Sequence, residues 1–290
     1  MNIIKAHNLA CPIDANKLEQ TGKQLVCENG HSFDIARQGY VNLLPVQHKR
    51  SKQPGDSKAM VVARTNFLNA GFYQGVAEKL NEIVSAGIIN DESINDKDNC
   101  ILDAGCGEGY YFDFIFNSLK NEKGSNKLSF IGLDISRDAI IQATKRNKQI
   151  SWIVATNRQP PVAENSVDII LCLFGFLSMD GFYKILKPGG LIITVDPGPE
   201  HLTELREIIY PEIKKYEHAS SLQTEKTGFS LVNSEALKYK IKLTNNEQIN
   251  NLLIMTPHFY RASKQGREAA CNLQKLDLTV DVVFSVLEKT

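Results

Sequence analysis

The sequence predicts an α/β protein built on a doubly wound, mostly parallel sheet. From residue 100 onward, short apolar segments alternate with segments in which apolar residues recur at helical spacing. A glycine-rich turn follows the first apolar segment, and a lone aspartate, Asp134, ends the second. Strands separated by helices form parallel sheets with helices packed on their faces. These features together indicate the fold class.

The spacing of apolar residues, together with the turn residues between segments, predicts the strands and helices of the alternating part. Apolar runs bounded by polar or Gly-rich turns predict strands, and longer amphipathic segments predict helices. The predicted strands are residues 100–104, 128–134, 150–155, 167–174, 191–195, 236–243 and 278–287. The predicted helices are residues 110–119, 136–146, 182–186, 202–216 and 247–255.

The chain before residue 87 does not show this alternation of strands and helices. Residues 1–46 contain two short cysteine motifs and an extended apolar segment, which predict a small separate domain. Residues 48–58 are polar and basic without any apolar side chain, as expected of a solvated linker or a binding arm. Helical spacing follows within 60–86. We therefore expect three parts, with boundaries at 1–46, 47–86 and 87–290.

Composition narrows the class of protein. The 290 residues are 42% hydrophobic and 23% charged, which is ordinary for a globular chain. The longest uncharged apolar run, 169–177, is too short to span a membrane, and the start lacks the pattern of a signal peptide. Six cysteines are too sparse for a disulfide scaffold. We expect a cytoplasmic protein without a membrane partner.

The net charge of zero conceals an asymmetry. Residues 1–64 hold nine Lys and Arg against five Asp and Glu, a net charge of +4, and the remainder carries −4. Such a split indicates an anionic partner for the basic part, although an excess of four charges also arises by chance.

The turn after the first strand carries the clearest ligand signal. It contains Asp103, Gly105, Gly107 and Gly109, and Asp134 ends the next strand. The dinucleotide fingerprint needs glycine at its first, third and sixth positions, whereas here the third glycine is at the fifth. The Lys-Ser/Thr of a triphosphate-binding loop is absent. The turn allows close approach of backbone to a ligand, and Asp134 can accept hydrogen bonds from ribose hydroxyls.

This loop resembles the S-adenosylmethionine loop of Rossmann-like class I methyltransferases. The resemblance implies a seven-stranded sheet and S-adenosylmethionine as cofactor. It places Asp103 near the amino-acid end of the cofactor, the glycines beneath it, and Asp134 on the ribose diol. Residues 166–168 and 187–190, before the fourth and fifth strands, match the same superfamily. A glycine-rich turn in another doubly wound fold is the alternative.

Further stretches resemble bacterial 23S rRNA guanine-N1 methyltransferases. They are residues 39–51, 54–56, 67–73, 103–111, 197–201 and 255–257. The resemblance implies that Tyr73, Glu108, Gly109 and His201 contact the cofactor. It also implies methyl transfer to N1 of a guanine in a 23S rRNA hairpin loop, with 23S rRNA as partner and a homodimer as the assembly.

The same family carries an N-terminal zinc site with the spacings Cys-x2-Cys and Cys-x3-His. Here the four positions are Cys11, Asp14, Cys27 and His31, so an aspartate replaces one cysteine. Aspartate ligates zinc through oxygen, and loss of one soft thiolate weakens the site. We expect a zinc-ribbon-like domain that retains Zn²⁺. The alternative is a ribbon that has lost its metal.

The residues that receive the base and its proton are less defined. The Pro-Cys of the related enzymes is absent from residues 173–177, where Phe174 and Phe176 are candidates for base stacking, as is Tyr73. Asp196 and Glu200 are candidate proton acceptors, and no residue is assigned as catalytic. Two other functions stay open: a small-molecule methyltransferase, and a catalytically silent RNA-binding protein.

Overall fold

A computed structural model describes residues 4–48, 51, 53–89, 99–120, 128–212 and 227–290. Its centre is an eight-stranded sheet with the order β10-β11-β9-β8-β5-β6-β7-β4. The strands from β9 to β4 in this order are parallel, and β11 runs antiparallel to both of its neighbours, β9 and the edge strand β10. A separate antiparallel sheet contains β1, β2 and β3. Seven strands of the large sheet lie in the predicted methyltransferase part, which confirms the predicted fold class.

The strands agree closely with the predicted apolar runs. Their bounds are β1 Glu19–Thr21, β2 Gln24–Val26, β3 Ser32–Asp34, β4 Tyr40–Asn42, β5 Asn99–Ala104, β6 Leu128–Asp134, β7 Ser151–Val154, β8 Val167–Leu173, β9 Leu186–Pro197, β10 Phe229–Leu243 and β11 Leu276–Lys289.

The helices begin where polar side chains cap them. Ser57, Ser136, Asn245 and Ser263 each accept a hydrogen bond from a backbone N–H of the first turn that follows. The helices are α1 Lys58–Asn69, α2 Gln74–Ile89, α3 Tyr110–Leu119, α4 Arg137–Arg146, α5 Met179–Ile185, α6 Thr203–Ile209, α7 Asn246–Met255, α8 His258–Arg261 and α9 Lys264–Cys271. None of the helices in the described ranges is both long and apolar enough to cross a membrane.

Alternate residues of the parallel strands enter two hydrophobic cores, one on each face of the sheet. Ile101 contributes to the core beneath α2, α3 and α4, whereas Leu102 contributes to the core on the opposite face. That second face is covered by α5 and by the N-terminal segment, which adds Leu9, Leu25 and other residues. The period of two along each strand therefore builds both layers.

The N-terminal segment is joined to the large sheet by hydrogen bonds as well as by packing. The backbone N–H groups of Lys5 and Ala6 both donate to Ser151 Oγ at 2.9 Å. β4 pairs with β7 as an eighth, parallel edge strand, with Tyr40 opposite Trp152. The predicted boundary at residue 46 stays a prediction, although the segment before it completes the sheet.

Two local predictions were wrong. The predicted helix over residues 202–216 ends at Ile209 among the described residues, because Tyr210 precedes Pro211 and is extended (φ −117°, ψ 137°). Residues 213–216 lie outside the described residues. Residues 187–190, expected to separate the helix at 182–186 from the strand at 191–195, instead form a bulge inside β9, since Val167 pairs with Leu186 and Ile169 with Leu191.

Candidate functional site

The glycine loop connects β5 to α3 at the carboxyl edge of the sheet. Gly105, Gly107 and Gly109 all have positive φ, at 92°, 56° and 84°. Gly109 has a second reason to be glycine, because a Cβ there would lie 2.8 Å from the Trp152 ring. The ring of Trp152 holds the start of α3 close to the sheet. Gly105 is half-buried and lines the cavity at this edge, whereas Gly107 and Gly109 are buried in the packed part of the loop.

Asp134 ends β6 and is tied directly to this loop. Its Oδ2 accepts a hydrogen bond from Gly107 N (2.9 Å), and its Oδ1 accepts one from Ser136 N (2.7 Å). Burial raises the pKa of the Asp134 carboxyl, and these two N–H donors oppose the rise. Asp134 also lines a cavity of about 690 Å³ together with Gly105. It lies where the resemblance places a ribose ligand.

Asp103, the last acid before the loop, is the most unusual charge in the site. It is 2% exposed, and its Oδ1 has no hydrogen-bond partner within the part of the chain that the structure describes. Burial, with a smaller contribution from the charge of Asp134, raises the pKa of Asp103 to about 8. A buried carboxylate oxygen without a donor is costly. Among the described residues, no Lys or Arg side chain forms an ion pair with Asp103, and no cation contributes to the shift of its pKa.

This loop fits S-adenosylmethionine. The orphaned oxygen of Asp103 suits the α-ammonium group, and Asp134 at the rim of the cavity suits the ribose hydroxyls. Asn157 also lines the cavity, and its Nδ2 donates to the backbone oxygens of Ala104 (3.2 Å) and Phe176 (3.1 Å). These bonds fix the ends of three strands around the cavity.

The structure places the side chain of Glu108 away from the open side of the loop. Its carboxylate forms an ion pair with Arg146 of α4, with Nη2–Oε2 at 2.5 Å, and it is almost fully buried. Its other oxygen, Oε1, has no hydrogen-bond partner among the described residues. Burial raises the pKa of Glu108, and the charge of Arg146 opposes that rise. The predicted cofactor contact of Glu108 stays a prediction.

Tyr73 and His201 meet from distant parts of the chain. Tyr73 precedes α2 and His201 follows β9, and Tyr73 Oη lies 3.2 Å from His201 Nε2. The backbone N–H of Asp281 donates to His201 Nδ1 at 3.3 Å. Burial lowers the pKa of His201 to about 4. At neutral pH His201 is therefore uncharged, carries its hydrogen on Nε2 and donates to Tyr73.

A strap of four residues, Pro54–Ser57, forms one wall of the cavity and was not identified as such from the sequence. Asp56 O accepts a hydrogen bond from Ser136 Oγ at 2.7 Å, and the Asp56 carboxylate pairs with Arg64 of α1. A Cβ at Gly55 would lie 2.9 Å from atoms of Ile135 and Ser136. Residues 48–58 were expected to form a solvated linker or a binding arm; within the strap Gly55 and Ser57 are exposed, whereas Pro54 and Asp56 are half-buried.

Arg64 is a second residue that the sequence did not single out. Its Nη2 donates to Met255 O at 3.0 Å, and its Nη1 bonds the Asp56 carboxylate. A Cβ on Gly107 would lie 3.6 Å from Arg64 Nη1, so the guanidinium lies against the glycine loop. The sequence held one indication of this role. Residues 54–56 and 255–257 are two of the stretches that resemble the methyltransferase family, and Arg64 bonds to a residue of each.

The four predicted metal ligands come together between two tight turns. His31 Nδ1 lies 3.6 Å from Cys11 Sγ, 3.4 Å from Cys27 Sγ and 3.0 Å from Asp14 Oδ2. Cys27 Sγ lies 3.5 Å from Asp14 Oδ2, and one ligand atom from each residue lies within 4.8 Å of the others. Tetrahedral zinc with ordinary bond lengths gives edges of about 3.4–3.8 Å between such atoms. The donor set therefore fits Zn²⁺.

Two protein-family models match separate parts of the chain. The model described as "RlmA, N-terminal", a zinc ribbon, matches residues 9–52. The model described as "Methyltransferase domain" matches residues 101–190. The fold and the cofactor loop thus define an S-adenosylmethionine-dependent methyltransferase with an N-terminal zinc ribbon.

Full-length relatives narrow the class. A Bacillus subtilis (strain 168) protein, provisionally named as a 23S rRNA (guanine-N1)-methyltransferase, is 28% identical over 278 residues, 94% of each chain. The 23S rRNA (guanine(748)-N1)-methyltransferase of Streptomyces fradiae is 27% identical over 284 residues, 96% of this chain and 95% of the relative. A Micromonospora griseorubida protein with a provisional name of the same kind is 30% identical over 210 residues, 68% of each chain. The chain belongs to this family of 23S rRNA (guanine-N1)-methyltransferases.

Proposed function

We propose that the chain transfers the methyl group of S-adenosylmethionine to N1 of a guanine in a hairpin loop of 23S rRNA. The observation that carries the proposal is the similarity to the Streptomyces fradiae enzyme across 96% of this chain, from ribbon to final strand. A small-molecule methyltransferase would share only the cofactor part. The orphaned Asp103 oxygen and the hydrogen-bonded Asp134 argue against a silent domain.

The cofactor, when bound, supplies a sulfonium methyl group already activated for transfer. The protein then has to hold the two reactants in line, which can contribute roughly 7–11 kcal/mol to the lowering of the barrier. Asp103, before the loop, would orient the amino-acid end of the cofactor, and Asp134, at the end of β6, would orient its ribose. Tyr73 and His201 would complete the wall beside Asp103, as the family resemblance implies. Gly105, Gly107 and Gly109 would let backbone approach the cofactor.

The acceptor nitrogen needs two things from the protein. Guanine N1 lies on the Watson–Crick edge, so the base has to be unpaired or flipped out to be reached. N1 also loses its hydrogen as the new N–C bond forms. The two candidate acceptors lie at and just after the end of β9: Asp196 is within the strand, and Glu200 forms an ion pair with Lys238, with Nζ–Oε1 at 2.5 Å. Both stay candidates for the group that accepts this proton.

The RNA is proposed to meet the basic N-terminal segment, residues 1–64, first. Residues 1–64 carry a net charge of +4, and phosphate contacts made by them would weaken as salt is added. Lys49, Arg50 and Lys52 lie outside the described residues. We expect a variant with these three residues changed to Gln to bind 23S rRNA with a smaller dependence on salt, by filter binding. An unchanged salt dependence would place the phosphate contacts elsewhere.

The assembly and location belong to the same proposal. A homodimer would join two basic arms into one RNA-binding cleft, and rRNA substrates are consistent with the cytoplasm. Size-exclusion chromatography with light scattering tests the dimer. A mass of about 32.4 kDa, that of one chain, would contradict it.

The activity itself has a direct test. The full-length chain is incubated with S-adenosylmethionine and 23S rRNA from a strain lacking its own enzyme, and the RNA is then reverse-transcribed. Methylation at N1 blocks base pairing, so a new stop at one guanine is expected. An Asp134→Ala variant is the negative control, since it removes the bond to Gly107 N. The absence of any new stop with the wild-type chain would refute the proposal.

A further inference from the structure

Phe174, the first residue after β8, has both a strained backbone and an exposed ring. Its φ is +51°, a left-handed conformation that bulky side chains rarely adopt. Its side chain is nevertheless 40% exposed at the carboxyl edge of the sheet. Such strain persists only where the surroundings hold it, and it is concentrated at functional sites.

The contacts of Phe174 show what holds it. Its backbone N–H donates to Val195 O at 2.8 Å. One side of its ring lies on the His201 imidazole, with centroids 6.1 Å apart and planes at 28°. The Tyr73 ring is 6.3 Å away and tilted by 41°. Phe174 is thus packed against the Tyr73–His201 pair on one side and exposed to solvent elsewhere.

The position of Phe174 relates it to the transferred group. The Tyr73–His201 pair lies on one side of it, and Phe176, two residues on, lines the cavity that contains Gly105 and Asp134. A methyl group held between the amino-acid and ribose ends of the cofactor would therefore pass close to residues 174–176. An acceptor base has to approach from the exposed side.

Phe176 is less suited to receive that base. It is 54% exposed, but the Arg158 guanidinium lies over its ring at 4.8 Å from the centroid. It also lines the cofactor cavity, so a ligand there already uses part of its surface. The ring of Phe174 is outside the residues that line this cavity.

We propose that the exposed side of Phe174 is the surface on which the target base stacks before methyl transfer. This inference rests on the proposed function and names a residue that contacts the substrate. An aromatic ring stacks on any base without reading its hydrogen-bonding edge. Phe174 would therefore hold the extruded base in place, while recognition of guanine would come from other groups.

The test uses the full-length chain with 23S rRNA as the probe. Phe174→Leu keeps a large apolar side chain beside His201 but removes the aromatic face, and Phe174→Tyr keeps that face. Loss of one stacked base weakens binding by about 10- to 100-fold. We expect Phe174→Leu to raise KM for RNA by that amount, Phe174→Tyr to stay near wild type, and the Kd for S-adenosylmethionine to stay within about twofold for both.

Tyr183→Leu is the matched control, because Tyr183 is 39% exposed and packs on Phe229 instead. It should leave KM for RNA unchanged. If the wild-type chain methylates guanine and Phe174→Leu has an unchanged KM, the stacking proposal is wrong and the proposed function stands. If Phe174→Leu raises only the Kd for S-adenosylmethionine, the ring belongs to the cofactor site and the stacking proposal is also wrong.

Should the wild-type chain produce no N1 methylation, the proposed function fails separately. Filter binding of 23S rRNA to wild type and Phe174→Leu then still decides the stacking. A loss of RNA affinity in the leucine variant supports it, and equal affinities overturn it.

Discussion

Tyr73 Oη and His201 Nε2 lie 3.2 Å apart, although 128 residues of chain separate them. The Asp281 N–H bound to Nδ1 sets the tautomer, so His201 donates and Tyr73 accepts. The hydrogen bond fixes the segment before α2 against the end of β9. It thereby joins the N-terminal helices to the edge of the sheet where the cofactor loop lies.

Removal of the tyrosine hydroxyl tests this bond. Tyr73→Phe leaves the buried His201 Nε2–H without its acceptor, which costs about 1–3 kcal/mol in the free energy of unfolding. The same variant should bind S-adenosylmethionine more weakly. Urea unfolding and calorimetric titration provide the two measurements. Tyr260→Phe, on a side chain 56% exposed, should change neither. A wild-type unfolding midpoint for Tyr73→Phe would show that this hydrogen bond contributes nothing.

Cofactor binding should release a proton from Asp103. The pKa of Asp103 in the free protein is about 8, so the carboxyl is mostly protonated at pH 7. An ammonium group placed beside it lowers that pKa and favours the ionised form. Titration at pH 7 in two buffers of different ionisation enthalpy should therefore report release of roughly one proton. Affinity should rise between pH 6 and pH 7, because fewer carboxyls then have to lose a proton.

Two variants separate Asp103 from other acids in this measurement. Asp103→Asn should bind the cofactor more weakly and release no proton from this position. Asp34→Asn, on an exposed acid of the ribbon that bonds Gln24, should behave as wild type. Equal enthalpies in the two buffers for the wild-type chain would contradict a protonated Asp103.

The metal site predicts one zinc ion per chain in protein purified without chelator. Asp14→Ala removes one of four donors and should lower zinc content and the stability of the ribbon. Asp14→Cys should slow zinc loss to a competing chelator, because a thiolate is the softer ligand. Elemental analysis measures both, with Asp34→Ala as the control acid. Metal-free protein with a fully folded ribbon would mean that the four residues are held by packing alone.

The strap predicts a cofactor-binding defect from a change outside the loop. A methyl group at Gly55 would overlap Ile135 and Ser136. Gly55→Ala should therefore displace the cavity wall and lower the affinity for S-adenosylmethionine by about tenfold or more. Gly22→Ala is matched for backbone strain, with φ +61° and open space around its Cβ. Both variants should lose some stability, but only the first should lose affinity. Equal cofactor affinities would show that the strap is not a functional wall.

Local sequence signals determined the central part of this protein. The strand, glycine turn, helix and second strand over residues 99–134 could be predicted nearly to the residue. In this region strand period, positive-φ glycines and helix caps act over a few residues, so neighbours in sequence contain the necessary information. The four metal-ligand positions were predicted from the family resemblance, and each pair lies in or beside one tight turn.

The tertiary structure decided the rest of the site. The polar composition of residues 48–58 indicated exposure, yet Asp56 O is bonded to Ser136 Oγ, 80 residues away. Likewise, three residues of the ribbon segment become an edge strand beside β7, and Asp281 selects the tautomer of His201. Such contacts depend on where distant segments meet, and burial of backbone polar groups then requires the partners found there. The residues next to a polar group in the sequence do not determine which distant segment supplies its hydrogen-bond partner, so only the folded structure identifies that partner.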